Sequence, residues 1–136
     1  MYETFAHTAD LGLRVRAGET DELFADAAAG LFSLVVNDVP SDPDATEYRF
    51  EIEGSRLDLL LLDWLNELLY VFDSERMVLG SFEVEVGSAG LRATARAKPL
   101  DPDRHGLLRE VKAITYHGLK VEQDGKQWLA EVIVDI

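Results

Sequence analysis

The stretch REVKAITYHGLKVEQDGKQWLAEVIVDI, residues 109–136, decides the fold class. It reads as three strands, REVKAITY (109–116), GLKVEQ (118–123) and QWLAEVIVDI (127–136), with no helical period between them. The last two are joined through Asp124-Gly125, a strong short-range hairpin signal. Consecutive strands without intervening helices pair antiparallel, which excludes a doubly wound, alternating α/β chain. In QWLAEVIVDI the alternation sets Leu129, Glu131, Ile133 and Asp135 on one face. Trp128, Ala130, Val132, Val134 and Ile136 lie on the other.

Upstream, SFEVEV (81–86) and LRATARA (91–97) flank Gly87–Gly90 as a second hairpin, and PLDPDRHG (99–106) reads as a loop. The most apolar helix is RLDLLLLDWLNELLYVF (56–72). Leu57, Leu61, Trp64, Leu65, Leu68 and Phe72 share one broad face of it, and Ser55 with Asp58 reads as a capping box. Tyr48, Phe50 and Ile52 alternate with charged residues in a half-buried strand, and NDVPSDPDA (37–45) is a loop. Residues 20–36, TDELFADAAAGLFSLVV, carry a second helical period, with Thr20 as its cap and Asp21 and Glu22 in the first turn. YETFA (2–6) and LGLRVRA (11–17) open the chain as strands. The order β-β-α-β-α-β-β-β-β-β predicts an α+β fold: one two-layer domain over residues 1–136, mostly antiparallel sheet, with two main helices. No internal repeat, low-complexity tract or long linker divides it.

Thirteen basic against twenty-six acidic residues leave a net charge of −13, and the chain has no cysteine. Gripping nucleic acid requires a basic face that displaces counterions from phosphates. Four lysines and nine arginines spread along the chain do not make one, so tight direct RNA or DNA binding is not expected. A partner with a basic cleft suits this field better. Without cysteine, disulfides and thiolate metal sites are excluded, which is compatible with cytoplasm. No apolar run reaches the roughly 18–20 residues that span a bilayer, and no signal peptide is visible at MYETFAHTAD.

Few residues carry candidate chemistry. HTAD (7–10) places an imidazole, a hydroxyl and a carboxylate at a strand-to-strand junction, where function often sits on a rigid scaffold. Locally, Asp10 has two readings: an Asx-turn carboxylate, or half of a metal site. Asp135 is the second acid, late in an apolar strand and followed only by Ile136. Its carboxylate, a backbone carbonyl and the terminal carboxylate are hard oxygen ligands suited to Ca²⁺ or Mg²⁺ rather than zinc. Lys112, in an apolar stretch, is either on an exposed sheet face or held near the acids as a counter-charge or phosphate contact. His105 and His117 lack the i, i+4 partner of helical zinc sites, and no P-loop, GxGxxG, GxSxG or cysteine nucleophile occurs.

Three segments together resemble the archease family: HTADLG (7–12), LLLLDWLNELLY (59–70), and EVKAITYHGL (110–119) with the terminal VIVDI. The resemblance runs from residue 2 to the last residue. It implies an accessory protein, not itself an enzyme, of the GTP-dependent RNA ligase of the RtcB type. That ligase joins 2′,3′-cyclic-phosphate or 3′-phosphate ends to 5′-hydroxyl ends in tRNA splicing and RNA repair. The accessory protein promotes guanylylation of the ligase's histidine and multiple turnover. By resemblance, Asp10 and Asp135 are side-chain ligands of a divalent metal ion, Ca²⁺ first and Mg²⁺ or Mn²⁺ next. Ile136 supplies a main-chain or terminal oxygen, and Lys112 is a functional lysine beside them. Two departures stand out: Leu11 where valine is common, and Ala97-Lys98 where Gly-Glu is expected.

Two rival readings remain. One is a metal-stabilised, chaperone-like interaction module without a specific ligase role, which would show a sizeable exposed apolar patch. The other is a stand-alone metal-dependent phosphoesterase, against which the sequence shows no second acidic motif.

Overall fold

Two hairpins, one from each end of the chain, meet edge to edge to form the main sheet. The computed structural model describes residues 1–7, 10–38 and 45–136, with His7 described by its backbone alone. Strand β1 (Tyr2–His7) pairs antiparallel with β2 (Asp10–Ala17), and β6 (Ala113–Asp124) with β7 (Gln127–Asp135). Strand β2 then pairs with β7, Leu11 opposite Val134 through Ala17 opposite Trp128, giving the order β1-β2-β7-β6. The join is driven by apolar burial: Leu13, Val15, Ala130, Val132 and Val134 are wholly inaccessible on the shared inner face. Each large aliphatic side chain so buried contributes about 1.5–3 kcal/mol.

The middle of the chain builds a second antiparallel sheet, β3 (Thr46–Glu53), β5 (Gly90–Pro99) and β4 (Met77–Gly87), in the order β3-β5-β4. The α+β class and the antiparallel pairing are as the sequence reads, but the strands divide between two sheets. Helices α1 (Thr20–Val35) and α2 (Leu57–Glu75) each touch strands of both. That double contact explains why their buried faces are so broad. Trp64 ties the layers together. Its indole N–H donates to the Phe24 carbonyl at 3.0 Å, and its ring meets Phe50 and Phe82 edge-on at 5.3 and 6.2 Å.

Local readings shift in instructive ways. Thr20 is the first helical residue rather than a cap, and the Asp21 carboxylate accepts from the Val86 N–H at 2.7 Å, tying α1 to β4. Arg56, not Ser55, precedes α2, so the capping box does not form. Asp58 instead takes the Arg56 guanidinium at 2.8 Å, which holds its carboxyl below the usual carboxylate range. The loop 99–106 contains a short helix, α3 (Pro102–His105), with Asp101 as its cap and left-handed Gly106 at its end. REVKAITY and GLKVEQ are not two strands. They merge into β6, whose register slips between Thr115 and Lys120 where Gly118 is left-handed (φ 72°). The β6–β7 loop is Gly125-Lys126: Gly125 takes φ 66° and Lys126 stays negative, the glycine-first pattern of a type II′ turn.

Candidate functional site

Pairing of β2 with β7 brings the two ends of the chain together. His7 lies opposite Asp10 in β1–β2, and Ala113 lies opposite Asp135 in β6–β7. Continuing the Leu11–Val134 register by one residue on each strand sets Asp10 opposite Asp135. Directly opposed residues of antiparallel strands share a face, with Cβ atoms about 4.5–5.5 Å apart. Both aspartates are half-buried, and Ile136 is 38% exposed. The Lys112 N–H donates to the Asp135 carbonyl at 2.8 Å, so Lys112 flanks the same end of the sheet. Its side chain is exposed, and it stands just before β6 rather than inside a strand as the apolar context suggests. Thr8 of the HTAD motif lies outside the described residues, as do residues 39–44 of the NDVPSDPDA loop.

The floor behind the aspartates is apolar. Gly12, two residues along β2, is covered by the Phe5 ring: a Cβ there would stand 2.1 Å from Phe5 Cζ. Ile133, across from Gly12, is 5% exposed although it lies on the outer face, and Gly118 of the β6 irregularity covers it. One row further, ions take over. The Arg14 guanidinium donates to Glu131 at 2.7 and 3.0 Å and lies 4.6 Å from the centre of the Phe5 ring. Lys120 reaches Glu131 at 3.1 Å. Burial alone pushes the Glu131 carboxyl up, but the bonds from Arg14 and Lys120 outweigh it and hold the group below its ordinary value. This frame of Phe5, Gly12, Arg14 and Glu131 escapes a search for ligands. The only signal for it is the alternation that puts Glu131 and Asp135 on one face.

Among the described residues, no three His, Asp or Glu side chains group as a metal site. Asp10 and Asp135 are the two carboxylates at this end of the sheet, with the backbone of Ile136 next to Asp135. The donor chemistry is hard oxygen throughout, which fits Ca²⁺, Mg²⁺ or Mn²⁺ and not a soft thiolate-seeking ion. The weaker histidines lie elsewhere. His105 is buried in α3, its Nδ1 accepting from the Asp101 N–H at 3.0 Å, and His117 is exposed in the β6 irregularity. Lys98, at the departure noted in the sequence, sits in β5 opposite Val78. No described helix is long and apolar enough to cross a membrane.

Comparison with known proteins agrees with this architecture over the whole chain. The profile of the archease protein family matches residues 2–136. Protein archease of Methanopyrus kandleri is 40% identical over 140 residues, 99% of each chain. That of Pyrococcus furiosus is 40% identical over 141 residues, 99% of this chain and 98% of its own. The solution structure of Methanobacterium thermoautotrophicum protein 1598 superposes with a TM-score of 0.81 at 31% identity, covering 99% of this chain and 98% of that one. A Thermotoga maritima crystal structure, described as an archease and possible chaperone, shares the fold with a TM-score of 0.66 at 22% identity, covering 100% and 98%. With one profile spanning both strands that bear the aspartates and the helices between them, the chain belongs to the archease family.

Proposed function

We propose that this protein is a cytoplasmic accessory factor, without turnover of its own, for a GTP-dependent RNA ligase of the RtcB type. In this reading it promotes guanylylation of the ligase and repeated joining of 3′-phosphate to 5′-hydroxyl RNA ends in tRNA splicing and repair. The observation that carries the reading is the β2–β7 pairing, which gathers Asp10, Asp135 and the Lys112 backbone at one exposed end of the sheet. Asp10, Asp135 and a main-chain oxygen of Ile136 would hold a divalent cation, Ca²⁺ first and Mg²⁺ or Mn²⁺ next, all of which suit hard oxygen donors. Such an ion supplies charge stabilisation to phosphate oxygens. Lys112, exposed beside them, offers an ammonium to a phosphate group of the partner's nucleotide. In-trans groups of this kind act in phosphoryl transfer by positioning and by electrostatics. The net charge of −13 suits docking on a basic RNA-binding cleft.

The test is covalent labelling of the purified ligase with GTP radiolabelled at the α-phosphate, with and without this protein. Faster accumulation of ligase–GMP supports the reading, and an unchanged rate overturns it. A second reading, a chaperone-like interaction module, draws on the exposed Leu107 and Leu108. It predicts unchanged labelling together with suppressed aggregation of several unrelated RNA enzymes.

A further inference from the structure

The outer face of the main sheet is laid out in rows that run across its strands. One residue past the Leu11–Val134 pair, the chain-end row holds Asp10 and Asp135. The next row is Phe5, Gly12 and Ile133, and beyond it come Glu3, Arg14, Glu131 and Lys120. That third row is balanced in charge and bonded throughout. Arg14 donates to Glu131 at 2.7 and 3.0 Å and to Glu3 at 3.3 Å, and Lys120 reaches Glu131 at 3.1 Å.

An aromatic ring separates the ionic row from the acidic one. Gly12 has no side chain, and Phe5 fills the space that one would take. The ring's Cζ, Cε2 and Cε1 atoms lie 2.1, 2.3 and 2.4 Å from where a Gly12 Cβ would stand. The Arg14 guanidinium carbon lies 4.6 Å from the centre of the same ring. Ile133, across from Gly12, is 5% exposed, so charges on either side of this row are felt more strongly than through water.

Take the ring away, and bare backbone at Gly12 leaves a path along β2 from Arg14 toward Asp10, which share a face. The two residues root about 13 Å apart at the usual strand rise, and an arginine laid flat over Gly12 crosses more than half of that. A guanidinium there offsets carboxylate charge, and it repels a divalent ion twice as strongly as a monovalent one.

We infer that Phe5 and Glu131 are positioning residues for the chain-end cation site: together they hold the Arg14 guanidinium on its own row and off the Asp10–Asp135 pair. Glu131 anchors the guanidinium through two bonds to one oxygen, and Phe5 occupies the path it would otherwise take. This deepens the metal reading proposed above and rests on it.

The experiment is calorimetric titration of the full chain with Ca²⁺ at low salt, repeated with Mg²⁺ and Mn²⁺. Wild type is compared with Glu131→Gln, with Phe5→Ala, and with each of these combined with Arg14→Gln. Melting curves fix a temperature at which every variant is folded. Should Phe5→Ala melt too early for this, the Glu131 series carries the test alone. The expected result is a loss of affinity of about five- to ten-fold in Glu131→Gln and Phe5→Ala, the size of a unit charge acting across a partly dry gap. The loss should shrink as salt rises, and Arg14→Gln should return both variants to the wild-type value. Asp124→Asn is the control: it removes the carboxylate that Arg16 meets at 2.8 Å, six residues along β2 from Asp10, and should bind like wild type. Single variants that bind like wild type overturn the inference and leave the metal reading standing. Failure of Arg14→Gln to restore affinity does the same, because Arg14 is then not the cause of the loss. Rescue of Glu131→Gln by Lys120→Gln as complete as that by Arg14→Gln also overturns it, since summed charge then suffices. A wild-type chain that binds none of the three ions sinks the metal reading and the inference with it.

Discussion

The β2–β7 register, carried one residue past Leu11 and Val134, sets Asp10 opposite Asp135, an acid from each end of the chain. Like charges in that relationship repel, and on the proposed reading a divalent cation bound between them offsets that repulsion. Added Ca²⁺ should therefore raise the melting midpoint of the wild-type protein, by the equivalent of about 2.7 kcal/mol at a hundred times the dissociation constant. Asp10→Asn and Asp135→Asn should lose that shift without melting early in the absence of the ion. Calorimetry in the presence of a chelator and then of calcium separates the two effects. An equal calcium shift in all three proteins would place the ion elsewhere.

Gly12 leaves the slot in which the Phe5 ring lies, two residues from Asp10. A methyl group there collides with the ring, which must swing away from Arg14. Gly12→Ala is expected to destabilise by about 1–3 kcal/mol, the usual range for overpacking. Gly18→Ala, where a Cβ meets nothing within 4 Å, serves as the control and should stay within about 0.5 kcal/mol of wild type. Urea titrations of both variants read the difference directly.

Glu131 gives the fold an acid-sensitive element. Its carboxyl is held below its ordinary value in the folded protein, so the folded state binds its proton less readily than the unfolded chain does. The stabilisation is complete above the ordinary glutamate value of about 4.3 and fades as pH falls through the lower folded value. Glu131→Gln should thus melt below wild type at neutral pH, and the gap should close in acid below that window. A gap that stays constant down the acid range would mean that the ion pair with Arg14 and Lys120 contributes nothing through its charge.

If an acidic accessory protein docks on the basic cleft of the ligase, it and RNA compete for one surface. Increasing amounts of RNA without a joinable end should displace this protein from the ligase, and the displacement should weaken as salt rises. Fluorescence anisotropy of the labelled protein measures it. Simultaneous binding of both with no mutual weakening would contradict the proposed docking.

The parts of this fold legible in the sequence are those fixed by local chemistry. The helical period of Leu61, Trp64, Leu65 and Leu68 acts over a few residues and stands where the sequence puts it, and the hairpin signalled by Asp124-Gly125 forms with its turn one residue on, at Gly125-Lys126. The split into two sheets is not legible. Whether β2 pairs with β7 or with a middle strand depends on which apolar faces meet across the whole chain, and period-2 alternation is the same in both cases. Lys112 misleads for a related reason. Val111 and Ala113 make its surroundings look like a strand, yet ladder pairing begins only at Ala113. Of the candidate site, Asp10 and Asp135 can be singled out as acids at strand ends. Their juxtaposition comes from register, and the Phe5–Gly12 slot beneath them comes from packing that no motif encodes.

The most direct test of the account is multiple-turnover RNA ligation by the cognate GTP-dependent ligase, with this protein present at sub-stoichiometric amounts. Wild type, Asp10→Ala, Lys112→Ala and Asp135→Ala are compared at equal concentration. The account predicts that wild type sustains repeated turnover and that the three variants leave the ligase at about a single round. Ligation that proceeds identically with and without the wild-type protein would contradict it.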